Sequence, residues 1–111
     1  MKIETEKGII TENATKEDLE KLFINDGFKE FVILFNHDNY FVQTSKIKND
    51  SFVVEYCCRN DDGNDVQFQS VNKLNRTEVL AVFVKYLKGD DSWKNMYQWE
   101  KENLKPWWKF W

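Results

Sequence analysis

The sequence contains few prolines and glycines, which interrupt regular secondary structure, and few cysteines, which cross-link a chain. It has one proline, four glycines and two cysteines among 111 residues. This composition excludes a collagen-like repeat, a proline-rich disordered chain and a small disulfide-stapled scaffold. Its apolar runs are far shorter than the roughly 20 residues of a membrane-spanning helix, and no secretory leader is recognisable. With 41% apolar and 32% charged residues, the chain is expected to form a single domain over residues 1–111.

The sequence also lacks a basic stripe. Nineteen acidic and sixteen basic residues give a formal net charge of −3, so a partner rich in phosphate, such as a nucleic acid, is not expected. The strongest local imbalance is acidic and falls between Asn49 and Asp65. It contains Asp50, Glu55, Asp61, Asp62 and Asp65 against Arg59. Such a region is either a solubilising surface or a surface that meets a basic partner.

Reactive groups are scarce. The one histidine, His37, falls in a predicted turn without a nucleophile nearby in sequence, and the four glycines are too isolated to form a phosphate-binding loop. No metal-ligand spacing is present, so we predict no catalytic residue, no metal and no cofactor. Paired carboxylates for glycoside chemistry stay open, because a sequence does not show pairing in space. Cys57 and Cys58 are adjacent, so on a strand they point to opposite faces; two free thiols are typical of a reducing cytoplasm.

The first half of the chain predicts a helix followed by strands. Residues 1–12 alternate and indicate a short strand, broken at Lys7-Gly8. Thr15 and Asp18 are typical of a helix start, and the apolar spacing that follows predicts a helix over 15–25. The pattern then changes to a period of two, with turn residues between the runs. It predicts a four-stranded antiparallel meander over residues 31–35, 40–45, 52–57 and 66–70.

Two further helices are predicted after the strands. Asn75 and Glu78 form a capping-box pattern before an apolar helical stripe, and Gly89 is suited to the position after the helix. A third helix is expected from about Trp93 to Asn103. The predicted fold class is therefore α+β, with an antiparallel four- to five-stranded meander sheet, helices packed on one face and the other face partly open.

Aromatic residues are concentrated at the C-terminal end. All five tryptophans lie in the last nineteen residues, at positions 93, 99, 107, 108 and 111. We expect Trp93 and Tyr97 to pack inward. The segment after Lys105 is too aromatic to bury every ring within one helix face. It could anchor a protein partner, lie at a membrane interface or stack on single-stranded nucleic acid, but the acidic balance elsewhere disfavours the last two.

The order of these parts resembles a known family. The segments that carry the resemblance are Phe31–Phe35, Tyr40–Gln43, Phe52–Tyr56, Glu78–Leu80 and Tyr86–Asp90, followed by Trp93 and by Trp99-Glu100. Over about residues 28–100 they resemble small bacterial immunity proteins encoded beside polymorphic toxins, of the α+β type with a tryptophan-bearing C-terminal segment. The resemblance implies an intracellular protein without catalysis that binds and blocks a cognate toxin. It brings no catalytic residue and no fixed inhibitory motif.

The leading hypothesis is thus a non-enzymatic cytoplasmic binding protein for a protein partner, such as a basic toxin domain. Its candidate binding residues are Asp61, Asp62, Asp65, Glu55, Trp99, Trp107, Trp108 and Trp111. One alternative is a small-ligand-binding or enzymatic domain with an aromatic-walled pocket between sheet and helices. Another is a self-associating structural module, with the C-terminal segment as a dimer contact; the oligomeric state stays open.

Overall fold

The structure is a computed structural model that describes residues 1–36, 40–59 and 62–102. These residues form seven strands, two α-helices and a short 3-10 helix. In chain order the elements are β1 Lys2–Thr5, β2 Gly8–Thr11, α1 Lys16–Ile24, β3 Phe31–Phe35, β4 Phe41–Lys48, β5 Ser51–Arg59, β6 Asp65–Ser70, α2 Arg76–Leu87, the 3-10 helix Ser92–Asn95 and β7 Trp99–Lys101. The strands make one sheet in the order β2-β1-β3-β4-β5-β6-β7, in which every neighbouring pair is antiparallel.

The α+β class and the central meander β3-β4-β5-β6 are confirmed, but the predicted strand count of four to five is wrong. The N-terminal segment makes two strands, because Gly8 takes a φ of +101° and lets the chain reverse into a hairpin. The seventh strand comes from the region after α2. Compared with an expected sheet of β1 and the meander β3-β4-β5-β6, the structure adds β2 at one edge and β7 at the other.

The third helix, predicted from Trp93 to Asn103, is wrong beyond its first turn. The helical part ends at Asn95, and residues 99–101 instead pair with the outer edge of β6. The backbone N–H of Val71 donates to the Gln98 carbonyl at 3.0 Å, and the N–H of Glu102 donates to the Gln67 carbonyl at 2.8 Å. An unpaired sheet edge offers these bonds to whichever segment reaches it, and this long-range pairing outweighs the helical spacing of the side chains.

The first two predicted helices form as α1 and α2 with the predicted caps. The Thr15 and Asn75 side chains accept hydrogen bonds from the backbone N–H groups of Asp18 and Glu78, and the two acidic side chains accept from the cap N–H groups in return. Gly89 follows α2 with a φ of +77°, the left-handed conformation that favours glycine after a helix. These short-range signals fix where each helix starts and ends.

The core lies between one face of the sheet and the two α-helices. Alternate residues of the strands are buried there, as the period of two predicts: Ile3, Val32, Leu34, Val42, Phe52, Val54 and Tyr56. From the helices, Leu19, Phe23, Val79 and Phe83 pack into the same core. Trp93 is fully buried, as expected, and Tyr97 packs against the core with partial exposure.

Candidate functional site

The opposite side of the sheet is called here the open face, and it is built from the alternate residues that point away from the core. Its middle row crosses all seven strands in register: Ile9, Glu4, Ile33, Gln43, Glu55, Gln69 and Glu100. A second row contains Lys2, Phe35, Phe41, Cys57 and Gln67. Both α-helices bury their apolar residues in the core on the other side, so among the described elements neither helix covers this face.

Glu55 lies at the centre of the open face with its carboxylate held in place. The side-chain amide of Gln43, directly across on β4, donates to Glu55 Oε1 at 3.1 Å. The amide of Gln67 on β6 donates to Glu55 Oε2 at 3.1 Å. One donor on each side fixes the orientation of the carboxylate. The Glu55 carboxylate is therefore held in one orientation on the open face.

Glu102 adds a second carboxyl beside Glu55. Partial burial, a side-chain hydrogen bond to Glu55 and the negative charge of Glu55 together raise the pKa of Glu102 to about 7. Near neutral pH, Glu102 is therefore divided between a protonated form, which donates a hydrogen bond to Glu55, and an ionised form. The net charge at the centre of the open face consequently responds to pH in the neutral range.

Aromatic and aliphatic side chains surround this polar centre. Phe35 and Phe41 make an edge-to-face pair with ring centroids 5.9 Å apart, and the Lys2 ammonium lies 5.0 Å from the centroid of the Phe35 ring. Phe31, Ile33 and Val53 are also half-buried on this side. The open face thus combines apolar contact area with a few oriented polar groups, a composition typical of protein interfaces.

The predicted binding residues occupy different places. Glu55 is on the open face, and Asp65, the first residue of β6, lies at one end of the same face, whereas Asp62 is exposed in the turn between β5 and β6. The Asp65 carboxylate accepts a hydrogen bond from the Tyr40 hydroxyl at 3.0 Å and lies 3.9 Å from the Arg59 guanidinium. Asp61, Trp107, Trp108 and Trp111 lie outside the described residues, as does His37.

Trp99 lies on the core side of the sheet, away from Glu55. Its ring is 4.9 Å from Tyr56 and 5.5 Å from Trp93 between centroids, and its indole N–H donates to the Lys94 carbonyl at 3.0 Å. Tyr56 also meets Trp93 edge to face at 4.9 Å. These rings pack directly on one another. Trp93 and Trp99 therefore lie on the face of the sheet opposite to Glu55.

The two cysteines are free, as predicted. Cys57 is on the open face, and Cys58 packs partly into the core from the other side of the strand. Burial is the main cause that raises the pKa of the Cys57 thiol, and the negative charge of Asp65 adds to it. A raised pKa keeps the thiol protonated at neutral pH, so it is a poor nucleophile.

Residues 1–36, 40–59 and 62–102 also bear on metal binding and membrane insertion. There, no three histidine, cysteine or acidic side chains converge in a way that could hold a metal ion. In the same ranges, neither helix has the length and apolar content needed to cross a membrane.

Sequence reasoning missed Glu102 and the apolar part of the open face. Glu102 fell near the end of a predicted helix, which concealed its position beside Gln67. The run Phe31–Phe35 is apolar throughout, and its alternate residues Phe31, Ile33 and Phe35 are half-buried on the open side. The sequence did contain a signal for this site. Gln43, Glu55 and Gln67 each fall at an outward-facing position of three successive strands, and pairing of these strands brings their side chains together.

Comparison with known proteins adds no assignment: no family model, no curated protein and no solved structure matches this chain.

Proposed function

We propose that the chain is a non-enzymatic binding protein whose open face binds a protein partner, and that it acts as an immunity protein neutralising a bacterial toxin in the cytoplasm. The observation that carries the proposal is the oriented Glu55 carboxylate, held by Gln43 and Gln67 at the centre of a sheet face that neither described α-helix covers. An oriented charge in a half-apolar surface favours one partner geometry over others.

The dimensions of the open face favour a macromolecule over a small ligand. Six strand spacings of about 4.8 Å give a width of about 29 Å, and five residues at about 3.3 Å give a length of about 16 Å. The area of this surface is about 460 Å², a little over half of the roughly 800 Å² that each partner contributes to a standard protein interface. Small-molecule sites, by contrast, are concave and enclose their ligand.

The charge of the face favours a basic partner. Glu4, Glu55, Glu100 and Glu102 lie on it together with Lys2, and Arg59 and Asp65 form an ion pair at its end. An excess of carboxylates repels phosphate and anionic lipid, whereas it attracts lysine and arginine side chains and speeds their encounter with the face. Toxins that act on nucleic acid carry such basic surfaces because their substrate is a polyanion. A basic toxin domain therefore suits both the charge and the size of the face.

The test uses the protein domain encoded directly upstream of this chain as the candidate toxin. The wild-type chain should bind this domain in calorimetry and restore growth to cells that produce it. Glu100→Lys, an exposed substitution on the open face, should weaken binding at least about ten-fold, which corresponds to about 1.4 kcal/mol. The matched control is Glu17→Lys, which makes the same charge change on the exposed side of α1 and should leave the affinity unchanged.

Two results would contradict the proposal. One is the absence of binding and of growth rescue by the wild-type chain. The other is equal weakening by Glu100→Lys and Glu17→Lys, since this would reflect net charge and not a face. Asn replacements of Asp62 and Asp65 test the β5–β6 turn as a further part of the binding surface. Repeating each measurement at two salt concentrations separates the electrostatic contribution, which salt reduces.

A further inference from the structure

We propose that Asp62, which is followed by Gly63, is a site of spontaneous isomerisation to isoaspartate, and that the fold protects the second Asp-Gly pair, Asp26-Gly27, from the same reaction. The sequence contains these two Asp-Gly pairs. Residue type alone does not distinguish them, whereas their surroundings in the structure do. This inference does not depend on the proposed function.

The reaction needs an aspartate side chain, the next backbone nitrogen and water. The nitrogen of the following residue attacks Cγ of the aspartate, an N–Cγ bond forms, and a carboxyl oxygen leaves as water with the amide proton. Water then opens the cyclic imide. Cleavage of its bond to the backbone carbonyl gives isoaspartate, and the mass is unchanged because one water is lost and one is gained. A following glycine favours the attack, because it has no Cβ to obstruct the approach.

Asp62 and Gly63 are both exposed in the turn between β5 and β6. Gly63 has a φ of +80°, and a Cβ built on it would meet no atom of the described residues within 4 Å. The turn therefore leaves open space around the nitrogen that attacks. Exposed turns also rearrange locally at a low cost in free energy, because few buried contacts have to break. This environment permits the backbone rotation that imide formation requires.

The carboxylate of Asp26 is held by two cations. Arg76 Nη1 donates to Asp26 Oδ1 at 2.6 Å, and the Lys46 ammonium lies 3.8 Å from the same oxygen. The hydrogen bond from Arg76 and the charge of Arg76 are the largest causes that lower the pKa of the Asp26 carboxyl. An ionised carboxylate is a poor target for the attack, because its oxygen must take up a proton before it leaves.

The backbone of Gly27 is also fixed. Its N–H donates to the Leu22 carbonyl at 2.9 Å, and a Cβ built on Gly27 would lie 2.9 Å from Leu22 Cδ2. The attacking nitrogen is thus held against the end of α1. Local opening must break this hydrogen bond and the contact with Arg76 before the imide forms, so we expect the reaction at Asp26 to be slowed at least about ten-fold.

Isoaspartate at position 62 changes the β5–β6 turn. The main chain then passes through the β-carbon of this residue, so the turn is longer by a methylene group and the carboxylate moves to a different branch. Asp65 follows directly after the turn, where it pairs with Arg59 and accepts a hydrogen bond from Tyr40. The altered turn is therefore joined to this end of the open face.

Trypsin separates the two Asp-Gly pairs into peptides 60–73 and 22–29, which allows a direct test. The full chain is incubated in neutral buffer below its unfolding temperature and digested. Liquid chromatography then separates isoaspartyl from aspartyl peptides of equal mass, and electron-transfer fragmentation assigns the position. We expect isoaspartate to accumulate at least about ten-fold faster in peptide 60–73 than in peptide 22–29. In urea, where the fold is lost, the two rates should become similar.

Two variants assign the cause. Asp62→Glu should abolish the isomer in peptide 60–73, because glutamate needs a larger ring that forms far more slowly. Arg76→Ala should raise the rate in peptide 22–29, because it removes the main donor to the Asp26 carboxylate.

Equal rates for the two peptides in the folded native chain would overturn the proposal. Isoaspartate that persists in peptide 60–73 of Asp62→Glu would do the same, since the modified residue would then be another one. An unchanged rate in folded Arg76→Ala contradicts protection by this side chain. If circular dichroism shows that Arg76→Ala does not fold, the native chain decides: a rate difference that persists in urea contradicts protection by the fold.

Discussion

Replacing Glu55 with glutamine removes the negative charge at the centre of the open face and keeps the size of the side chain. Three causes raise the pKa of Glu102 to about 7: burial, which is the largest, then the hydrogen bond to Glu55 and the charge of Glu55. The substitution removes the charge and weakens the hydrogen bond, but burial remains. We therefore expect the pKa of Glu102 to fall by about one unit and to stay above the ordinary glutamate value of 4.5.

The measurement is a carbon NMR titration of the Glu102 side-chain carboxyl from about pH 4 to pH 9. The control Glu4→Gln removes a carboxylate from the same face three strands away from β5, and it should leave the titration midpoint unchanged. A midpoint that stays near 7 in Glu55→Gln would refute the reasoning, as would a midpoint near 4.5 in the native chain. Because the folded pKa is raised, the free energy of unfolding should fall as the pH rises from about 4.5 to about 7, and less so in the variant.

Three stability predictions follow from the packing and the caps. Trp93→Ala empties a fully buried site and should cost about 3–5 kcal/mol in urea unfolding, while a variant within about 1 kcal/mol of wild type would contradict the packing. Arg76 donates to the Phe23 carbonyl at 2.9 Å and to the Asp26 carboxylate at 2.6 Å, and it lowers the pKa of Asp26. A depressed folded pKa adds stability above the unfolded pKa that is lost as the pH falls through the folded value. Arg76→Ala should therefore reduce the loss in the free energy of unfolding as the pH falls into the acidic range. An unchanged acid dependence would show that Arg76 does not set the pKa of Asp26. Asn75→Ala should cost about 1 kcal/mol of unfolding free energy through the lost α2 cap, and no loss would contradict it.

Features set by near neighbours in sequence were predictable. Thr15 with Asp18 and Asn75 with Glu78 satisfy helix-end donors only three residues away, so the sequence alone contains both partners of each cap. The alternation in Phe52, Val54 and Tyr56 likewise assigns a buried face, because it depends only on the pleat of one strand.

Features set by distant pairing were not predictable in the same way. Trp99 follows residues at helical spacing, yet the edge of β6 and the rings of Tyr56 and Trp93 place it in a strand. The contact between Glu55 and Glu102 depends on that strand, because Glu102 directly follows it. Predicting a helix for this segment therefore also concealed the second carboxyl of the site. Similarly, the run Phe31–Phe35 does not reveal which of its two faces lacks a covering layer.

The most direct test of the account is site-specific photo-crosslinking of the complex with the upstream-encoded domain. A photoreactive residue replaces Gln69, which is exposed on the open face, or Lys16, which is exposed at the start of α1. The account predicts that the partner crosslinks to position 69 and not to position 16. Crosslinking at position 16 with none at position 69 would contradict it, because the partner would then bind the helical layer.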